Sequence, residues 1–154
     1  MTKVKDTASL IGDTFNPFPE PYKSILGDSE CKGLGDLFSL TQFGVNLEIL
    51  ESNAQSALRH WHTKSDEFLY LLEGELCLIM DGGEQVMKRG MCVGFPGGVE
   101  NGHHLVNRSD KQAKFIVIGS RVAGDKAHYP DDDFKWVEAS SGNWVACRKD
   151  GTRY

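Results

Sequence analysis

From residue 36 to about residue 120 the chain is a train of short apolar or alternating runs, none long enough for an amphipathic helix. LFSLTQF, VNLEIL, EFLYLL, ELCLIM, MCVGF, HHLVN and AKFIVIG are separated by Glu73-Gly74-Glu75, Asp81-Gly82-Gly83, Arg89-Gly90 and Pro96-Gly97-Gly98. Alternation every second residue suits a strand with one buried face, and glycine-rich breaks suit turns. Asp81-Gly82 between two such runs predicts a tight hairpin, with positive φ in the turn. Many short strands at this spacing predict an all-β sandwich or barrel. The sequence also permits a short helix over residues 28–35.

The flanks differ in character. Residues 1–35 include FNPFPEPY, with three prolines in eight residues. Proline lacks an amide donor and fixes φ, so neither a regular helix nor a central strand survives there. This predicts an irregular arm laid on the barrel by its aromatic residues. After residue 121, FKWVE and NWVAC predict a small hairpin across Ser140-Ser141-Gly142, the C-terminal hairpin tail. Asp131 to Asp133 read as a solvated turn, with a charged flap over a site mouth as the functional alternative. The organisation expected is one domain: an arm over 1–35, a barrel over 36–120 and an extension over 121–154.

Charge and cysteine usage narrow the partners. The formal net charge is -5, and no basic run exceeds two residues, as at Arg148-Lys149. Phosphate backbones need a basic patch, so nucleic acid is not an expected partner. No apolar stretch approaches the ~18 residues of a membrane span, and the N-terminus lacks a signal-peptide core, so no membrane partner is expected. Cys31, Cys77, Cys92 and Cys147 are scattered without a CxxC pair. They read as free thiols of a reducing compartment, which predicts a cytoplasmic protein.

The chemistry concentrates in RHWHTKSDEFLYLLEGE, residues 59–75. Residues i and i+2 of a strand share a face, so His60 and His62 point one way and Trp61 the other. If the chain reverses over Thr63–Asp66, Glu67 opens the next strand and reaches the same point. Two imidazoles and a carboxylate are a good start for a metal site. A fourth ligand is available at His103-His104, of which one side chain must face inward.

These residues carry a resemblance. HxH, four residues, Glu, six residues, Gly is similar to the first motif of the cupin superfamily, and His60, His62, Glu67 and Gly74 match it. The second motif is matched by Gly90, Pro96, Gly98, His103 and Asn107, except that four residues, Val99 to Gly102, precede His103 where two are usual. Ala54 stands where the first motif usually opens with glycine. The adjacent Asn53 tolerates a left-handed turn. Residues 37–120 thus resemble a single cupin barrel, a double-stranded β-helix of jelly-roll type. GHHLVNRS, YPDDDFKW and KDGTRY are similar to short single-cupin proteins of unassigned function.

The resemblance implies one divalent ion (Fe, Mn, Ni, Co or Zn) held by His60, His62, Glu67 and His103. It favours His103 over His104, because His103 keeps the spacing to Asn107. It also implies a homodimer. Three imidazoles and one carboxylate would leave open positions for a small oxygen-rich ligand, either a sugar, a sugar phosphate or a keto or hydroxy acid. Lewis-acid isomerase, epimerase or lyase chemistry suits that geometry. The alternatives are an Fe(II)-dependent dioxygenase and a non-catalytic ligand-binding cupin. The sequence does not decide whether the chain is an enzyme. Tyr70 and Phe95 are the candidate ligand contacts. A phosphate would need a cation in the pocket, and none is evident. Arg59 alternates outward and is a poor anchor. Asn107 is expected to fix backbone, His128 to lie on the surface, and Trp61 to pack away from the metal.

Overall fold

The computed structural model describes residues 3–140 and 142–154. Two antiparallel sheets form the barrel. The larger has the order β1-β2-β9-β4-β7, where β1 is Ser29–Gly33, β2 Phe43–Leu50, β4 Glu67–Glu73, β7 Cys92–Phe95 and β9 Ala113–Ser120. The smaller has the order β6-β5-β8, with β5 Glu75–Met80, β6 Gly83–Lys88 and β8 His104–Val106. A two-residue ladder joins β3 (Trp61–His62) to β10 (Ala127–His128).

Period-two patterning sets the faces. On β4, Leu69 and Leu71 are buried while Phe68, Tyr70 and Leu72 are exposed. Leu69 and Leu71 meet Val117 and Phe115 of β9, their register partners. Leu76 and Leu78 of β5 close the same core from the smaller sheet. Fully burying each such side chain contributes roughly 1.5–3 kcal/mol. Gly74 turns the chain from one sheet to the other. Its φ is 83°, and a Cβ there would lie 3.0 Å from Ala113. A left-handed residue without a side chain is needed on both counts.

Asp81 and Gly82 form the expected two-residue connection, because Met80 pairs with Gly83. The positive φ, however, falls on Gly83 (116°) and not on the turn pair. The chain re-enters the strand through that glycine. Asp81 is meanwhile held from outside the hairpin, its amide donating to Asn101 Oδ1 at 3.1 Å.

The helix permitted over 28–35 is not formed. Residues 29–33 are β1, paired with β2 from Ser29↔Leu50 to Gly33↔Asn46. The unpaired edge of β2 offers these backbone groups a complete ladder, and that outweighs weak local propensity. The first sheet strand therefore precedes residue 36. The helix α1 lies earlier, at Tyr22–Leu26, directly after Pro21. Part of the arm packs. Tyr22 and Leu26 are buried with Phe134 and Tyr129, while Phe15 stays exposed. The C-terminal hairpin pairs β11 (Lys135–Glu138) with β12 (Trp144–Cys147). Ser141 of its connection lies outside the described residues. Tail and arm share one aromatic cluster, with Phe18 and Tyr22 packed on Phe134 and the Tyr22 hydroxyl 3.0 Å from that of Tyr154.

Candidate metal centre

His60 lies at a backbone bridge to His103, each amide donating to the other's carbonyl, at 3.2 and 2.9 Å. His62 follows on β3. The chain then turns over Thr63–Asp66, and Asp125 holds that turn. Asp125 Oδ1 accepts from the Lys64 amide (2.8 Å), the Ser65 amide (3.2 Å) and the Thr63 hydroxyl (3.1 Å). Glu67 emerges as the first residue of β4, facing the barrel interior like Leu69. Single ligand atoms from His60, His62 and Glu67 all lie within 4.8 Å of one another. His62 Nε2 is 3.8 Å from Glu67 Oε2, and His103 Nε2 is 3.4 Å from Glu67 Oε1. The His103 ring is buried and lies flat on Phe95, with centroids 3.5 Å apart.

The hydrogen bonds decide which ring nitrogens are free. His60 Nδ1 is 2.8 Å from the Leu58 carbonyl, which can only accept, so Nδ1 carries the proton. His62 Nδ1 is 2.7 Å from Asp125 Oδ2 and donates to it. Both Nε2 lone pairs therefore meet the Glu67 carboxylate, a cluster of acceptors with no donor of its own from these two rings. Burial pushes the His60 imidazole down to about 4, against the pull of the Glu67 charge. It is neutral at physiological pH and available as a ligand. Asp125 is the acid that holds its charge. Burial opposes ionisation, but the Lys64 amide, the His62 ring and Ser65 together keep its carboxyl well below the usual range. Converging lone pairs, neutral imidazole and oriented outward bonds are what a cation site requires. The His60-His62-Glu67 cluster can hold a metal ion.

A family model for the cupin domain matches residues 46–119. A solved sugar phosphate isomerase of the cupin superfamily from Silicibacter pomeroyi is 39% identical, covers 99% of this chain and 96% of its own, and superposes with a TM-score of 0.90. The chain belongs to the cupin superfamily. A proposed sugar phosphate isomerase from Acidithiobacillus ferrooxidans shares the fold at 24% identity, covering 100% of this chain and 95% of its own, with a TM-score of 0.81. A polyketide cyclase from Streptomyces resistomycificus does so at 19% identity over 78% of this chain and 80% of its own, with a TM-score of 0.63. No curated relative matches the chain.

In this cupin the expected ligands His60, His62 and Glu67 converge, and His103 reaches Glu67 from β8's approach without joining the three within 4.8 Å of each other. His104 is turned toward Ala57, whose carbonyl lies 3.0 Å from its Nδ1. Phe95 lines a cavity of about 140 Å³ beside His62, Glu67 and His103. Tyr70 is not brought to the site. It alternates with Leu69 and Leu71 and stands on the outer face, 40% exposed, which corrects its expected role as a ligand contact. Trp61 stacks on His128 across the β3–β10 ladder, centroids 4.5 Å apart. Asn107 is wholly buried and fixes backbone. Its amide donates to the Leu50 and Lys111 carbonyls at 3.0 and 2.8 Å. Asn53 takes the left-handed turn beside Ala54, with φ 65°.

Asp131 is not a freely solvated residue. Arg59 binds it through Nε (2.5 Å) and through its second terminal nitrogen (2.8 Å), and also reaches Asp81 and the Gly102 carbonyl (3.2 Å). One guanidinium thus ties the β5–β6 turn, the loop before His103 and the tail together. The lengthened Val99–Gly102 loop supplies that carbonyl, and it also supplies the Asn101 carbonyl 3.3 Å from His103 Nδ1. Asp131 to Asp133 do not line the cavities that open onto His60, His62 and Glu67.

Two features were missed by sequence reasoning. Asp125 sits 63 positions after its His62 partner, in a Gly-Asp loop with no distinguishing signal. Lys126 lines a cleft of about 510 Å³, floored by His60 and His62 and walled by Phe18, Tyr129, Trp136 and Trp144. The arm and the tail hairpin build this wall. A cation is therefore present near the site, contrary to expectation.

Proposed function

We propose that this cupin is a metal-dependent sugar phosphate isomerase, with one divalent ion held by His60, His62, Glu67 and His103. The observation that carries the reading is the likeness to the Silicibacter pomeroyi protein, at 39% identity along essentially the whole chain, arm and tail included. The site's form supports it. When bound, the ion supplies Lewis-acid polarisation of a carbonyl or hydroxyl. Asp125 and the Leu58 carbonyl hold two imidazoles with Nε2 inward. The aromatic wall of the cleft offers flat apolar faces to a sugar ring. Lys126 offers an ammonium to a phosphate. Among the described residues its side chain has no acidic partner, and such pairing is strong when charge-assisted.

The test is purification without added metal, elemental analysis, and incubation with a panel of aldose and ketose phosphates followed by NMR. Interconversion that stops with chelator and returns with one divalent metal is expected. A metal-replete protein that converts none of them refutes the reading. We extend the proposal to a homodimer, formed through the exposed apolar face of the larger sheet where Phe68, Tyr70 and Phe43 stand out, and to a cytoplasmic location, which suits four free thiols.

A further inference from the structure

The barrel holds an acid that neither the metal centre nor the packing explains. Glu48 of β2 pairs with Cys31 on one side and Phe115 on the other, in a row that continues to Leu71 of β4. Its side chain faces the interior and lines an inner chamber of about 140 Å³ together with His60, Glu67, His103 and His104. Among the described residues it makes no ion pair. Its one close donor is the Cys31 thiol. A buried carboxyl outside the ligand cluster is unfavourable, and an apolar residue would complete the core beside Phe115 and Leu69. Retaining an acid here points to chemistry in the chamber.

We propose that Glu48 is the acid–base group that carries the proton between neighbouring carbons of the substrate. The inference rests on the isomerase reading. The Glu48 carboxylate takes the proton from the carbon next to the carbonyl. The C–H electron pair becomes the carbon–carbon double bond of an enediolate, the carbonyl π pair moves onto its oxygen, and the hydroxyl proton of the neighbouring oxygen passes to that former carbonyl oxygen. Glu48 then returns its proton to the former carbonyl carbon, and the neighbouring oxygen becomes the new carbonyl. Every atom is conserved and no oxidant is needed.

The other titratable groups around Glu48 are poorer candidates. Burial and the adjacent Glu48 push the Cys31 thiol up to about 12, so it stays protonated and donates. Burial lowers both His60 and His104, whose Nδ1 atoms are committed to the Leu58 and Ala57 carbonyls. Glu67 and His103 face each other. Burial raises the proton affinity of Glu48, and besides Glu67 it is the one carboxyl that lines the chamber.

Glu48→Gln preserves shape and removes the proton acceptor. The expected result is a kcat lower by ~10²–10⁴-fold, with KM little changed, metal content retained and melting temperature equal or higher. The acid limb of the kcat/KM profile should disappear. In heavy water the wild type should place deuterium on the carbon that receives the proton, and the variant should not. A variant with kcat within about threefold of wild type and an intact acid limb overturns the inference while the isomerase reading stands. A wild type inactive on every sugar phosphate overturns both. If Glu48→Gln does not fold, Cys31→Ala decides. Losing the thiol donor should move the acid limb to higher pH, and an unmoved limb overturns the inference.

Discussion

Asp125→Asn isolates how the protein prepares a candidate metal ligand, His62. The wild-type carboxylate has two tasks: Oδ1 collects the Lys64 amide, the Ser65 amide and the Thr63 hydroxyl, and Oδ2 accepts from His62 Nδ1 at 2.7 Å. An asparagine has only one acceptor oxygen. Three donors fix that oxygen on the turn, so the NH₂ group must face His62. Donor then meets donor unless the imidazole moves its proton from Nδ1 to Nε2, and that removes the lone pair the metal needs. Loss of such an orienting partner costs about 10–100-fold in metal affinity, equal to roughly 1.4–2.7 kcal/mol. Because the turn keeps its acceptor, the metal-free variant should melt close to wild type. Asp125→Ala should melt lower, since it also strands the turn's donors at roughly 1–3 kcal/mol for each one left buried. Competition against a chelating dye gives the affinities, and calorimetry of metal-free protein gives the melting temperatures. An Asp125→Asn protein binding metal within about twofold of wild type refutes the tautomer reasoning, because the orienting bond would then be worth far less than the usual range.

His62→Ala should strip most of the metal on dialysis, whereas His104→Ala should leave it in place, by elemental analysis. If His104→Ala alone empties the site, the inward face of the β8 approach has been misassigned. Arg59 hydrogen bonds, against a smaller effect of burial, hold the Asp131 carboxyl below its ordinary value. Its contribution is therefore present above the unfolded value near ~3.9 and lost as pH falls through the folded value. Asp131→Asn should destabilise by at most about 1 kcal/mol at neutral pH, given the exposure of the pair, and the gap should close in acid. Denaturant melts at the two pH values test this, and a pH-independent gap contradicts it. Phe68→Glu with Tyr70→Glu should turn a dimer into a folded monomer by light scattering. A dimer that survives both changes places the interface elsewhere.

The barrel was legible because its signals are local. Alternation in EFLYLL gives both the strand and its faces, and Gly74 marks the turn through a φ that other residues resist. The cluster able to hold a metal was legible because HxH and Glu67 are close in sequence. What could not be read depends on contacts between distant segments. Residues 29–33 have weak propensity of their own and become a strand only because β2 offers an edge. Tyr70 shares the aromatic character of Phe95, and only register separates the face with Leu69 from the face with Tyr70. Arg59 was read as alternating outward, whereas its side chain is mostly covered by partners that arrive from three other loops, Asp81, Gly102 and Asp131. Glu48 is one polar residue in an alternating run, and only the pairing of β2 with β9 turns its face to the interior.

The two sequence motifs turn out to be one mechanical unit. Gly98 donates its amide to the His62 carbonyl at 2.8 Å, and Gly97 donates to Asp66 Oδ1 at 2.8 Å. The second motif's loop is thus bonded to the turn that joins His62 to Glu67 in the first. A Cβ on Gly97 would lie 2.4 Å from the Lys64 backbone, so the approach demands a residue without a side chain. Asp125 grips the same turn through the Thr63, Lys64 and Ser65 donors. Held by both sets of bonds, the turn has little freedom to alter the distance between the His62 imidazole and the Glu67 carboxylate. Ligand atoms that repel one another when no cation is present still stay within reach of one ion, because the work of keeping them close is done by backbone bonds and not by the ligands themselves.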